Sequence, residues 1–342
     1  MINKIDFVLP WVDGSDSEWL KLKRKYEQNG AAEVSCDADA NADCHYRDYG
    51  ILRYWFRAVE KFAPLVNRVF FVTCNQKPDW LDESNPKLRL VNHEEYIPRE
   101  HLPTFHSNTI ELNLHRLADL SEQFVLFNDD IFLLRPVEPK FFFKKGLPVT
   151  ACELAIPRWL GASNTSRMVL NNTSALKRCV DVEKSIRKNI WKFVDVGKLG
   201  FGRAARNLAS FAVNKCYIPG TFGHLASSHL KSTFDEIWRI APSFVEKTSQ
   251  SRFRSDECVN HWLLLALNMV RGNFISCNEK HRGAFVALRE GEEKGICEAI
   301  RRQAYSEICI NDKIEGENCE SIFKELRDAF DYILPEKSSF EK

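Results

Sequence analysis

Asn128, Asp129 and Asp130 interrupt an otherwise apolar and aromatic run. Phe124-Val-Leu-Phe127 precedes them and Ile131-Phe-Leu-Leu-Arg135 follows. Adjacent carboxylates at a break in a buried strand are costly to desolvate unless something neutralises them. A hard divalent cation, Mg2+ or Mn2+, is the usual solution, because it takes carboxylate oxygens and keeps positions open for a substrate's phosphates. The pattern points to chemistry on a nucleotide-activated substrate. The contrary reading is a turn between strands whose acids face water. A second acid sits where ligands collect in open α/β sheets: Ile5-Asp-Phe-Val-Leu9 predicts a short strand, and Asp13 follows its C-terminal end in Pro10-Trp11-Val12-Asp13-Gly14.

The elements that must position these residues follow from hydrophobic periodicity. Residues 15–30 predict a charged helix, and 31–44, with Cys36 and Cys44, a loop. Leu52, Trp55, Phe56, Val59 and Phe62 recur at helical spacing, predicting an amphipathic helix from Asp48 to Phe62 that ends at Ala63-Pro64. Val69–Thr73 and Lys87–Val91 predict buried strands. Asn108 to Leu117 predicts a helix with Ile110, Leu114 and Leu117 on one side and Asn108, Glu111 and His115 on another; Asn108-x-x-Glu111 reads as a capping box. Residues 138–222 are less regular. Within them, Lys184, Arg187, Lys188, Lys192, Lys198, Arg203 and Arg206 form a basic run, read either as a solvated helix face or as a hold for an anionic acceptor. Helices are expected at Ser232–Phe244, Ser255–Val270 and Ser321–Leu334. Alternating strands and helices predict an α/β fold with a mostly parallel sheet covered on its faces.

Composition sets bounds. At 342 residues and 44% hydrophobic content, the chain is long enough for one large or two ordinary α/β domains. A net charge of +1 gives no global pull toward nucleic acid. The 11 cysteines include no Cys-x-x-Cys pair, which argues against a zinc site of common spacing and suits a reducing cytoplasm. No secretory signal and no apolar run of membrane-spanning length is read.

The segment Ile5 to Gly14 resembles the first block of the Stealth family of sugar-phosphate transferases. A second block runs through Tyr46-Arg-Asp48, Leu52-Arg-Tyr54, Glu60-Lys-Phe-Ala-Pro64, Trp80-Leu-Asp82, Leu102-Pro-Thr-Phe105, Ser107-Asn108, Glu111 and Asn128-Asp-Asp130. A third is similar over Gly223-His224, Lys247-Thr-Ser249, Arg254 and Glu257. A fourth is similar at Ile308-Cys-Ile-Asn-Asp312, and Ser339-Phe-Glu341 closes the chain in the same manner. The resemblance implies a nucleotide-sugar-binding core of the Rossmann-like, glycosyltransferase-A kind over residues 1–144. A partly helical insertion over 145–215 would meet the acceptor, and 216–342 would complete the site.

The implied reaction moves a hexose-1-phosphate or N-acetylhexosamine-1-phosphate from a nucleotide-diphosphate sugar, UDP-linked by expectation, to an acceptor hydroxyl. Its acceptor is an oligosaccharide or polysaccharide, free or lipid-linked. Its setting is the cytoplasm, with room for association at the inner membrane face, and no nucleic acid takes part. On this resemblance Asp129 and Asp130 hold Mg2+ or Mn2+, with Asn311 and Asp312 completing the shell, and Asp129 counts among the catalytic groups. Arg254 clamps the transferred phosphate; the alternative is a salt bridge to Asp256 or Glu257. His224 takes the acceptor proton, with His115 second in line. Asp13, Arg47, Arg53, Asn108 and Asn128 line the donor site. Two other readings stay open: a glycosyltransferase that moves the sugar alone, and a non-catalytic carbohydrate-binding or assembly protein.

Overall fold

The computed structural model describes residues 4–28, 46–48, 50–152, 154, 164–214, 224–278, 282–314 and 319–342. The expected loop at 31–44 and Gly223 lie outside the described residues. The strands are β1 (Ile5–Pro10), β2 (Val69–Thr73), β3 (Leu88–Asn92), β4 (Gln123–Leu126), β5 (Ile131–Leu133), β6 (Phe143–Lys144), β7 (Leu147–Ala151), β8 (Ser227–Leu230), β9 (Ile275–Cys277), β10 (Gly283–Leu288) and β11 (Glu307–Asp312).

The central sheet has the order β3-β2-β1-β4-β8. The first four strands are mutually parallel, and β8 joins antiparallel to β4. This is the α/β, mostly parallel arrangement that the strand and helix pattern predicts. Both faces are apolar because successive side chains alternate. Phe7, Leu9, Val69, Phe71 and Val125 enter one core; Val8, Phe70, Val72, Phe124 and Leu126 enter the other.

On the first face the helix Leu52–Phe62 packs through its predicted stripe. Trp55 lies 5.4 Å from the Phe127 ring and Phe56 5.5 Å from Phe71. Arg57, on the same helix, donates from Nε and Nη2 to the two oxygens of Glu341 at 2.8 and 3.0 Å. That buried pair pins Ser339-Phe340-Glu341 to the core, which gives the chain's closing residues a structural role.

Several helices differ from expectation. The helix expected at Asn108–Leu117 is Ser107–Leu112 followed by a 3-10 turn, Leu114–Arg116. No capping box forms: His106 occupies the cap position, and Asn108 and Glu111 have other partners. Ser232–Phe244 divides into Lys231–Ile240 and Pro242–Gln250, because Pro242 lacks the N–H needed to continue the helix and instead starts a new one. The last apolar helix begins only at Trp262 and ends at Arg271 with Gly272 in the left-handed cap. The less regular region is helical at Asn164–Cys179, Val182–Phe193, Val196–Leu199 and Phe201–Asn214.

Candidate active site

The interrupted strand is the pivot of the site. β4 ends in the central sheet, the chain turns through Asn128-Asp129-Asp130, and β5 resumes in a different sheet. There β5 pairs antiparallel with β11, setting Ile131 opposite Cys309, while the Ile310 N–H donates to the Asp130 carbonyl at 2.8 Å. The strand break therefore brings the distant residues Asn311 and Asp312 into one cleft with Asn128, Asp129 and Asp130. The cleft has a volume of about 700 Å³.

β1 delivers Pro10, Trp11 and Val12 to the same cleft. Gly14 fixes the next segment: its N–H donates to the Tyr46 carbonyl at 3.0 Å, and a Cβ there would lie 2.1 Å from that oxygen. Only glycine permits this approach, and it holds Tyr46, Arg47 and Asp48 along the cleft. Trp19, Phe105 and Phe253 form a small aromatic core beside it, with Phe105 and Phe253 stacked at 5.1 Å. Arg254 follows directly and lines the cleft, with Nη2 3.5 Å from Ser107 Oγ. Of the neighbouring acids, Asp256 pairs with Arg167 and Glu257 with Lys247.

At the centre, Asn128 Nδ2 lies 3.1 Å from His224 Nε2, and that nitrogen is 3.7 Å from Asp130 Oδ2. The Cys309 thiol donates to Asp130 Oδ2 at 3.2 Å. Asp130 Oδ1 is buried with no hydrogen-bond partner. Burial, then the neighbouring Asp130 charge and then Asp48, push the Asp129 carboxyl up to about 8. Burial also raises Asp48 and Asp312, the latter against the pull of Arg47. Crowded, under-solvated carboxylates with an orphaned oxygen form an environment that a cation would relieve. Asp130, His224 and Cys309 present ligand atoms within 4.8 Å of one another.

Arg47 Nη1 donates to Asp312 Oδ2 at 3.3 Å, joining an expected donor-site residue to an expected cation ligand. Asp13 and Arg53 are not among the lining residues. Asp13 Oδ1 accepts from the Ser15 N–H and hydroxyl, closing a local turn, and the Arg53 guanidinium lies 5.7 Å from the Trp80 ring centroid. His115 is also outside the lining. It packs against Phe234 and Trp238, and burial lowers it to about 4.

The sequence reading missed one buried pair. His261 Nδ1 sits 2.8 Å from Glu111 Oε2, and both residues line the cleft beside Asn108, Asn260 and Trp262. Glu111 carried a capping reading and His261 lay inside an expected helix, so no local pattern linked them.

A family model described as Stealth protein CR1, conserved region 1, matches residues 3–31, and one described as Stealth protein CR2, conserved region 2, matches residues 45–151. The chain is 38% identical to the capsular polysaccharide phosphotransferase WcwK of Streptococcus pneumoniae, with 100% of each sequence covered. It is 39% identical to the receptor polysaccharide phosphotransferase WefC of Streptococcus oralis, over 99% of this chain and 100% of that protein. It is 35% identical to the exopolysaccharide phosphotransferase cps2G of Lactiplantibacillus plantarum, over 99% and 96%. Among solved structures, the galactosyltransferase LgtC aligns over 98% of this chain and 96% of its own, at 11% identity and a TM-score of 0.43. The chain belongs to the Stealth family.

Proposed function

We propose that this enzyme transfers a hexose-1-phosphate or N-acetylhexosamine-1-phosphate from a nucleotide-diphosphate sugar, UDP-linked in our reading, to a sugar hydroxyl of an oligosaccharide or polysaccharide. The acceptor oxygen bonds to the sugar-side phosphorus, the bond between that phosphorus and the bridging oxygen breaks, and a nucleoside monophosphate leaves. The product is a phosphodiester in a capsular or exopolysaccharide. One observation carries the reading: the crowded acids of the strand break share a cleft with His224, Arg254 and β11. The polysaccharide phosphotransferase names of full-length relatives support the same class.

Phosphoryl transfer needs charge neutralisation and positioning more than covalent help. Asp129 and Asp130 would hold Mg2+ or Mn2+, with Asn311 and Asp312 at the edge of the set. When bound, the cation offsets the charge of the diphosphate. The planar fork of Arg254 grips the transferred phosphate's oxygens. Arg47, Asn108 and Asn128 line the donor's path, and the wall of Trp19, Tyr46 and Phe105 offers aromatic faces to a base. Asp13 and Arg53 support the donor site from outside the lining.

His224 takes the acceptor proton on Nε2, the nitrogen facing Asn128. Its place within reach of Asp130 and Cys309 favours a second reading, in which it ligates the cation. His224→Ala separates the two. Loss of turnover with Mn2+ affinity unchanged supports the base, and a matching loss of Mn2+ affinity supports the ligand. The reaction itself is tested by screening nucleotide sugars for release of nucleoside monophosphate. Diphosphate release would indicate a glycosyltransferase, and sugar binding without turnover a non-catalytic protein. The setting we propose is the cytoplasm, in keeping with the thiol state of the described cysteines.

A further inference from the structure

The helix Phe201–Asn214 is built inside out. Its inward side carries Asn207, fully buried, which accepts from the Leu154 N–H at 2.9 Å and donates to the carbonyls of Cys152 and Phe193 at 3.2 and 2.8 Å. Ser210 is buried beside it. The outward side carries large apolar residues, with Arg206 exposed at its edge: Phe201 is 78% exposed, Val213 75% and Leu208 54%. At about 100° per residue, Phe201, Ala205, Leu208, Ala209 and Ala212 fall within an arc of roughly 100°. A helix that faced only water would carry the opposite pattern.

The adjoining helix Val182–Phe193 lies alongside, with the Arg187 guanidinium 5.9 Å from the Phe211 ring centroid. Its exposed side holds Lys184, Arg187, Lys188 and Trp191, the last 58% exposed, and one acid, Glu183, which pairs with Arg187 at 2.9 Å. From residue 182 to 214 there are seven cations against two acids, Glu183 and Asp195, a net of +5 in a chain whose total is +1. No helix among the described residues is long and apolar enough to cross a membrane.

From this juxtaposition we infer that the outward face of residues 182–214 docks on an anionic lipid bilayer. Phe201, Leu208 and Val213 enter the boundary between headgroups and acyl chains, Trp191 sits at headgroup level, and the lysines meet the lipid phosphates. A second copy of the chain fits the apolar face less well, because it would bring two strongly basic surfaces together. The inference concerns where the enzyme sits, and it stands whichever donor and product prove correct.

The test uses the full chain and sedimentation with vesicles. Phosphatidylglycerol–phosphatidylcholine vesicles should carry the protein down at least about tenfold more strongly than phosphatidylcholine alone, with binding that weakens as salt rises. The combined variant Phe201→Ser, Leu208→Ser and Val213→Ser should lower vesicle binding about tenfold or more, with kcat on a water-soluble acceptor unchanged within about twofold. Lys184→Gln with Lys188→Gln should flatten the salt dependence. Equal sedimentation of wild type and the serine variant would overturn the inference. So would self-association through this face with no vesicle binding, or retention by a soluble anionic oligosaccharide in place of vesicles.

Discussion

The acid cleft and the helical stretch 164–214 both depart from ordinary burial, in opposite senses. In the cleft, polar groups are inside without partners: Asp130 Oδ1 is buried and unbonded, and Asp129 is held far above the usual carboxylate range. In the helical stretch the buried Asn207 amide is satisfied by three hydrogen bonds, although the neighbouring Ser210 Oγ has none, and apolar groups are left outside. An unsatisfied carboxylate inside marks a place kept for a charged ligand; a satisfied amide inside is architecture. The same alteration, removing one buried polar group, should therefore have different consequences in the two regions.

The largest effect is expected at the acids. Chelation should abolish turnover, and Mg2+ or Mn2+ should restore it. Asp130→Asn should cost at least about a hundredfold in kcat while the folded protein keeps its unfolding midpoint. Full activity in EDTA would erase the distinction drawn between the regions.

Next comes the pair that the sequence hid. Glu111→Gln keeps the shape but removes the charge facing His261 Nδ1. We expect kcat/KM to fall about tenfold, the scale of one hydrogen bond to a charged group. An unchanged kcat/KM, measured beside unchanged stability, would make the pair structural.

Asn207→Ala should behave in the contrary way. It strands one backbone donor and two acceptors, so urea unfolding should show a loss of roughly 3 kcal/mol, with kcat near the wild-type value. A variant that loses turnover but not stability would move this helix into the catalytic machinery.

The smallest effect is a slope. Burial and the neighbouring acids hold Asp129 up at about 8, so in cation-free protein its contribution to stability is full below the ordinary aspartate range and is lost as pH rises toward 8. Asp48 and Asp312 are shifted in the same direction. Asp129→Asn should flatten the dependence of melting temperature on pH, and an unaltered slope would show that Asp129 ionises normally.

The legible parts of the site were those whose signal is local. Asn128-Asp129-Asp130 stood out because polar residues broke an apolar strand, and the two-sided burial of β1, β2 and β4 followed from their continuous apolar runs. What could not be read depends on tertiary contact. The pairing of β5 with β11 explains why Cys309 meets Asp130, but its register is absent from either segment alone. Glu111 and His261 lie 150 positions apart. His115 carried plausible chemistry, yet Phe234 and Trp238 enclose it. The inverted helix escaped because periodicity identifies an amphipathic element without saying which side faces the core.

The reaction itself is tested most directly by following one atom. A nucleotide sugar labelled at the phosphorus next to the sugar is supplied with acceptor, and the label is traced after turnover. Our account predicts that it appears in the acceptor-linked phosphodiester, with unlabelled nucleoside monophosphate released in equal amount. Label recovered in nucleoside diphosphate, beside an acceptor that gained sugar without phosphorus, would contradict it.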